Sequence, residues 1–439
     1  MIKILHLSDI HMGSSFSHGQ INPETGLNTR LEDFVKTLSQ CIDRAIDEPV
    51  DLVLFGGDAF PDATPPPYVQ EAFASQFRRL ADAKIPTVLL VGNHDQHSQG
   101  NGGASLSIYR TLAVPGFIVG DRLKTHRIPT CHGNVQVITL PWLTHSTLLT
   151  RPETDGLSLA EVNELLIRKL EPALEGEIRQ LDPALPTVLL AHLMVDRANL
   201  GAERFLAVGK GFTIPISLLM RPEFDYVALG HVHKHQNLNP NNDPPIIYPG
   251  SIERVDFSEE KEDKGYILVT VETAQTTPPQ KSVQWQFCPL PVRPFRTLEI
   301  DVSEAADPQA AILGAIAKKK IQDAVVRLIY KIRSEQLDLI NTHALHEALK
   351  SSHTYTIRPE LVSQLARPRL PELGVGNSLD PLEALKAYLN NRQDLKDIEA
   401  EILEAAHYLL EATPESWTEI EEESKEKVSV KESGVRIFN

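Results

Sequence analysis

The chain has 439 residues, 41% of them apolar and 23% charged, with a formal net charge of -16 at pH 7. That length exceeds one ordinary hydrophobic core and predicts two domains plus an appendage, while no stretch approaches the roughly 20 apolar residues of a membrane span. Cys41, Cys131 and Cys288 are odd in number and widely spaced, which excludes a disulfide framework and a Cys-x-x-Cys zinc site; the amino terminus has no secretory pattern, so the expected location is the cytoplasm.

Ile2 to Leu7 is a strand-length apolar run that ends just before Asp9-Ile10-His11. Leu31, Phe34, Leu38 and Ile42 recur at helical spacing within Leu31 to Ala45, and Leu52 to Phe55 is a second apolar run closing on Gly57-Asp58, so the opening reads as a βαβ unit. Pro61 to Pro67 holds four prolines, which forbid regular structure directly behind Asp58. Val69 to Lys84 is the next predicted helix. It leads into Leu89 to Asp95, Leu-Leu-Val-Gly-Asn-His-Asp, a buried strand that stops at a glycine and presents Asn93, His94 and Asp95 in a row. Gln96 to Ser105, polar and glycine-rich, is expected to be a loop in which His97 is a poor candidate ligand. Val135 to Leu140 is a strand ending at Pro141-Trp142, with Trp142 expected in the core. Ala160 to Leu181 is a long amphipathic helix before the strand Val188 to Ala191, which ends at His192, and Tyr226 to Leu229 runs into Gly230-His231-Val232-His233.

Alternating βα sequences place their chemistry beyond the carboxyl ends of strands. Five such ends here offer Asp9, His11, Asp58, Asn93, His192, His231 and His233. Each motif alone is ordinary turn or core chemistry, since Gly and Asn tolerate left-handed backbone and Asp caps helices. Their joint occurrence, each after an apolar run, points to a metal site. Oxygen and imidazole donors without a thiolate suit manganese, iron or zinc. Seven donors exceed the four of one tetrahedral ion and suit two ions sharing a carboxylate; such pairs sit roughly 3.5 to 4 Å apart and clamp the attacking and leaving oxygens of a phosphoryl group. The expected reaction is phosphoester hydrolysis.

Asp9-x-His11, Gly57-Asp58, Gly92-Asn93-His94-Asp95, His192 and Gly230-His231-x-His233 resemble the five motifs of the calcineurin-like metallophosphoesterases. Tyr248 to Phe257, followed by Lys264-Gly265-Tyr266, is similar to the segment behind those motifs in the SbcD family, the nuclease subunit of the bacterial SbcCD complex. The resemblance covers Met1 to Gly265 and, more loosely, the rest. It implies an α/β sandwich of two mixed β-sheets flanked by helices. It also implies two divalent ions, manganese by expectation with ferrous iron, zinc or magnesium as alternatives. Carried over from the family pattern, Asp58 bridges the ions, Asp9, His11 and His233 complete one, and Asn93, His192 and His231 the other. His94 is expected to be catalytic without ligating, because neighbouring side chains diverge, and Asp95 to support its imidazole in the protonated form. Some relatives carry a histidine three residues after the bridging aspartate, where this chain has Pro61.

The activity implied is a double-strand 3'-5' exonuclease and single-strand or hairpin endonuclease on DNA, acting as a homodimer with an SbcC-type coiled-coil ATPase in break repair, recombination and replication. A phosphodiesterase for small nucleotides or phosphoproteins is the enzymatic alternative, and a scaffold subunit without activity the non-enzymatic one.

The expected phosphoesterase domain spans residues 1–288, with strands at Tyr266 to Glu272 and Val283 to Phe287 around a polar hairpin. Pro289, Pro291 and Pro294 mark a boundary, after which Thr297 to Val302, Gln309 to Lys320, Ala324 to Ile332, Gln336 to Leu349 and Thr354 to Ile357 alternate as β-α-β-α-β, a small α+β capping domain over 289–366. Lys318-Lys319-Lys320 with Arg327, Lys331 and Arg333 offers phosphate contacts, although a solvated helix end is the preferred reading. Residues 367–378 read as a linker. In 379–439, helices over Leu382 to Leu389 and Leu395 to Leu410 carry an apolar seam, Leu395, Ile398, Ile402, Ala405 and Leu409, suited to docking on the ATPase or to packing back on the cap. Asp380 to Asn439 holds 15 acids against 7 bases, so much of the acidity that opposes DNA binding lies in the tail.

Overall fold

The structure, a computed structural model, describes residues 1–96, 103–143, 154, 156–199, 212–274, 276, 280–362, 381–390 and 393–411. The expected glycine-rich loop with His97, the linker at 367–378 and the acidic tail fall wholly or largely outside them. Two units result, Met1–Val362 and Ser363–Asn439.

In the first unit the chain runs β1 (Ile2–Leu7), α1 (Thr29–Asp47), β2 (Leu52–Phe55), α2 (Pro67–Asp82), β3 (Thr87–Leu90), α3 (Ser107–Thr111), β4 (Phe117–Gly120), β5 (Lys124–Thr130) and β6 (Gly133–Leu140). It continues through α4 (Leu159–Ile178), β7 (Thr187–His192), β8 (Met194–Val195), β9 (Thr213–Ile214), β10 (Tyr226–Gly230), β11 (Gln236–Asn237), β12 (Ile246–Tyr248), β13 (Gly265–Thr273) and β14 (Lys281–Pro289). One six-stranded sheet has the order β14-β13-β1-β2-β3-β4 and the other β11-β12-β10-β7-β6-β5. Both are mixed: β1 to β4 are parallel and β13 and β14 antiparallel, while β6, β7, β10 and β12 are parallel and β5 and β11 antiparallel. This is the helix-flanked sandwich the resemblance implies.

Period-two alternation divides each strand between two cores. Ile4, Leu52, Leu54, Val88 and Leu90 meet Val137, Val188, Leu190, Tyr226 and Ala228 between the sheets. The alternate residues Leu5, Val53, Phe55 and Leu89 pack on Leu31, Phe34, Leu38 and Ile42 of α1 and Phe73 and Phe77 of α2. Leu189, Val227 and Leu229 pack instead on Leu166, Leu170 and Leu174 of α4. Burial on both faces is why these strands read as continuous apolar runs. Caps set the helix starts. Asn28 accepts from the amide of Arg30 to open α1, Pro67 begins α2 at a position where its missing N–H costs nothing, and Ser158 with Glu161 forms a capping box on α4.

Beyond Pro294, β15 (Phe295–Asp301), α5 (Pro308–Ala317), β16 (Val325–Arg333), α6 (Thr342–Leu349) and β17 (Thr354–Val362) make a parallel three-stranded sheet covered by two helices. Two details differ from the sequence expectation. The helix expected over Gln336 to Leu349 is broken into a 3-10 turn, Ser334–Leu339, and α6, because Asn341 caps α6 by accepting from the Ala344 amide. The last strand runs past Pro359 to Val362, since it lies at the sheet edge, where proline is tolerated. Arg327 stacks on Phe257, Lys331 pairs with Glu299 and Arg333 with Glu304, so three of the basic residues offered as phosphate contacts have protein partners.

This sheet is joined to the larger sandwich by polar contacts. Arg293 grips Asp33 through two 2.7 Å bonds, the Thr297 amide donates to Glu260 at 2.9 Å, and Thr354 donates to the His18 carbonyl at 2.6 Å. Arg30 is fully buried beneath them, bonded to Asp33 and to the Arg254 carbonyl and stacked on Phe34 and Phe295.

In the second unit, α7 (Pro381–Asn390) precedes a 3-10 turn, Gln393–Ile398, that leads into α8 (Glu399–Glu411). Of the expected seam, Ile398 is 44% exposed, whereas Leu389 of α7 is buried. No described helix is long and apolar enough to cross a membrane.

Candidate metal centre

The loops after β1 and β2 are stitched together by their backbones. The amides of Asp9, His11 and Met12 donate to the carbonyls of Gly57, Asp58 and Ala59 at 3.0, 3.0 and 2.9 Å. To turn their side chains inward, Asp9, His11, Asp58 and His231 adopt positive φ (52°, 47°, 58° and 103°). A non-glycine residue there costs roughly 1–3 kcal/mol, and such strain collects at functional sites. Gly92 has to be glycine for a different reason, since a Cβ would run into the Asp58 carboxylate and amide.

These turns bring all seven predicted donors to one place, every one but Asn93 buried. Nε2 of His11 and Nε2 of His233 face each other at 2.9 Å, with an Asp9 oxygen 4.0 Å from the former. On the other side, Oδ1 of Asn93 is 2.9 Å from both Nε2 of His192 and Nδ1 of His231. Asp58 stands between the two groups. Its Oδ2 is 3.6 Å from His11 Nε2 and 3.4 Å from His192 Nε2, while its Oδ1 accepts the His94 amide at 2.9 Å. Asp9 in turn accepts the His231 amide at 3.1 Å.

The donor set fits divalent cations. Nδ1 of His192 donates to the Gly56 carbonyl at 2.6 Å, so Nε2 faces Asn93 Oδ1 and Asp58 Oδ2 at 2.9 and 3.4 Å, where either a proton or a cation has to sit among the three. Around one ion with bonds of about 2.1 Å, neighbouring donors lie roughly 3.0 Å apart at right angles and roughly 3.4 Å apart in a tetrahedron. The separations of 2.9 to 3.6 Å are close to such edges, the 4.0 Å from Asp9 to His11 being longer, and the groups Asp9–His11–His233 and Asp58–His192–His231 each gather within reach of one ion, as does His11–Asp58–His94.

Electrostatics agree with that use at His11 and His231, while at His192 an ion has to displace the proton that Asp58 favours. Burial pushes the His11 imidazole well below its ordinary range, helped by His233, and burial with the charge of His192 lowers His231 to about 3. Neutral imidazole is the ligating form. Burial would also lower His192, but the Asp58 carboxylate outweighs it and raises the ring to about 9. Burial alone would raise Asp58; the imidazoles of His192, His11 and His94 hold it well below the usual carboxylate range.

His94 is half-buried, with its ring edge-on to His11 at 5.0 Å. The support expected from Asp95 is absent. Asp95 turns away beneath the loops, where its carboxylate accepts the amides of Gly92, Asp58 and Ala59 at 2.9, 2.9 and 3.0 Å and the Ser105 hydroxyl at 3.3 Å. The His94 ring instead bonds through Nδ1 to the Pro61 carbonyl at 2.8 Å. Thus the residue at the position where relatives carry a histidine contributes its backbone.

Two further residues were not legible as site residues. Trp142, expected in the core, is half-buried with its indole 4.8 Å from the His231 ring and edge-on to His192. Glu259 is buried and 2.7 Å from Nδ1 of His233; burial would raise its carboxyl, but Lys264 and His233 hold it well below its ordinary range. In sequence it lies between Phe257 and Lys264 within a run of charged side chains, where nothing sets it apart from its neighbours.

A family model described as Calcineurin-like phosphoesterase matches residues 2–235. Among solved structures, the chain is similar to a dimetal phosphatase from Danio rerio at 13% identity and a TM-score of 0.39, covering 65% of this chain and 98% of that one. It is also similar to a purple acid phosphatase isolated from yellow lupin (Lupinus luteus) seeds, at 14% identity and a TM-score of 0.35, covering 61% of this chain and 49% of that one.

Proposed function

The chain belongs to the calcineurin-like phosphoesterase family, and from that premise we propose that it is a two-metal DNA nuclease of the SbcD kind. The observation that carries the hydrolytic part of this reading is the convergence of Asp9, His11 and His233 on one side, and Asn93, His192 and His231 on the other, of the single oxygen Oδ2 of Asp58. We assign Asp58 as the shared ligand and manganese as the working ion.

When bound, paired divalent ions supply Lewis-acid polarisation of a phosphoryl group and activation of the attacking water. The chain's own residues do the rest. Asp95 fixes the Asp58 and Gly92 turns by taking up their amides, so the ligand loops hold their shape. His94 lies beside His11 and its Nδ1–H donates to Pro61 in either protonation state, so the exchangeable proton is on Nε2. A leaving oxygen that gains charge would take that proton, the part of a general acid.

The preference for DNA rests on the resemblance in Tyr248 to Phe257 and on the three-stranded sheet joined to the sandwich, which we assign as a cap over the substrate. The helices α7 and α8, with Ile398 exposed at the end of the 3-10 turn between them, would bind an SbcC-type ATPase in the cytoplasm, the nuclease acting as a homodimer. The net charge of -16 favours the second reading, a phosphodiesterase for small nucleotides or phosphoproteins. Chelated protein resupplied with manganese separates the two when assayed on a DNA hairpin and on a chromogenic diester, with and without the ATPase. Cleavage of the hairpin, enhanced by the partner, supports the nuclease; turnover of the diester alone supports the alternative.

A further inference from the structure

The histidines of the centre differ in what stands behind them. His192 rests on the carbonyl of Gly56, and Nε2 of His231 has no hydrogen-bond partner among the described residues. Behind His233 is a buried carboxylate, with Oε1 of Glu259 accepting from Nδ1 at 2.7 Å. Glu259 is itself fixed. Its Oε2 pairs with Lys264 Nζ at 2.8 Å and accepts the Val255 amide at 3.0 Å. The same Lys264 ammonium donates to the His233 carbonyl at 3.0 Å, as does the Ser251 amide at 3.0 Å. Glu259 and Lys264 are both fully buried or nearly so. A buried ion pair is a costly way to fill space, and hydrophobic residues of like volume do so as well or better. The arrangement needs another explanation.

We propose that Glu259 is a positioning residue for the metal centre: its carboxylate accepts a hydrogen bond from Nδ1–H of His233, which fixes the ring tautomer and so directs the Nε2 lone pair at the position shared with His11. The inference rests on the two-metal reading above. A carboxylate behind a ligating imidazole also raises its basicity, and such outer partners are typically worth about 10 to 100-fold in metal affinity. It follows that the two ion positions are unequal, and that Glu259 strengthens the one served by Asp9, His11 and His233 while leaving the other unchanged. Lys264 holds Glu259 in place from the far side.

The test is calorimetric titration of manganese into the chelator-stripped full-length chain, for wild type, Glu259→Gln, His233→Ala and the pair Glu259→Gln/His233→Ala. Glu259→Gln is expected to weaken one of two binding events about 10 to 100-fold, with no added loss when His233 is already alanine. Should Glu259→Gln fail to fold because Lys264 keeps only Glu262 as a carboxylate partner, Glu259→Leu/Lys264→Met removes the buried Glu259–Lys264 pair and the acceptor together, and the same one-site weakening is expected. Wild-type affinity at both positions, equal weakening of both, or additive losses in the His233→Ala background would overturn the positioning role while leaving the two-metal reading intact. A wild-type chain that takes up no manganese would overturn the two-metal reading, and this role with it.

Discussion

The Asp58 carboxylate is equidistant, to within 0.2 Å, from two imidazoles of opposite halves of the site, 3.6 Å from Nε2 of His11 on the loop after β1 and 3.4 Å from Nε2 of His192 at the end of β7. One oxygen thus joins the two sheets. Asp58→Ala removes it from both donor groups at once and frees the His94 amide as well. Hydrolysis should fall to background with either substrate, and elemental analysis should find fewer than two manganese ions per chain. A variant that kept both ions and near wild-type turnover would show that Asp58 is not shared.

His94→Ala separates catalysis from ligation. With His94 bonded to Pro61 rather than to Asp95, its loss leaves the Asp58 and Gly92 turns untouched. Metal content should be unchanged and the cleavage rate lower by roughly 10² to 10⁴-fold. Pro61→Ala, which retains the carbonyl, should stay within a few-fold of wild type. Metal lost along with His94 would make the residue a ligand.

Arg30→Met probes the join between the sandwich and the three-stranded sheet. Arg30 is fully buried and lies 3.5 Å from buried Glu253. Removing one partner from a buried charged group typically costs about 3–5 kcal/mol. Urea unfolding should show that loss with little change in metal binding, because no predicted ligand touches Arg30.

Deleting residues 379–439 should remove the proposed association with an SbcC-type ATPase while leaving manganese-dependent hydrolysis, since every predicted ligand lies in the unit Met1–Val362. Co-purification and hairpin cleavage by the truncated chain check the two halves of the statement. Loss of cooperative unfolding on truncation would show that the segment is needed for the core.

The sequence made the ligand positions legible because each lies where a doubly buried strand runs out, as at Leu7 before Asp9 and at Phe55 before Asp58, and burial writes itself as an apolar run. What adjacency in sequence does not disclose is direction. Asp95 follows His94 directly yet points back under the loops, because three amides there need an acceptor. Glu259 is one acid among several in its segment, and only the packing against His233 and Lys264 distinguishes it. The break at Asn341 was hidden in the same way, as apolar spacing continued across a residue whose side chain caps a new helix.

The central claim, that hydrolysis depends on two divalent ions held by these seven donors, is tested most directly by following activity on a chromogenic diester while manganese is titrated into the stripped chain with its uptake measured in parallel. The account expects uptake to saturate at two ions per chain and activity to rise with occupancy of the second. Full activity at one ion per chain, or in the stripped chain without added metal, would contradict it.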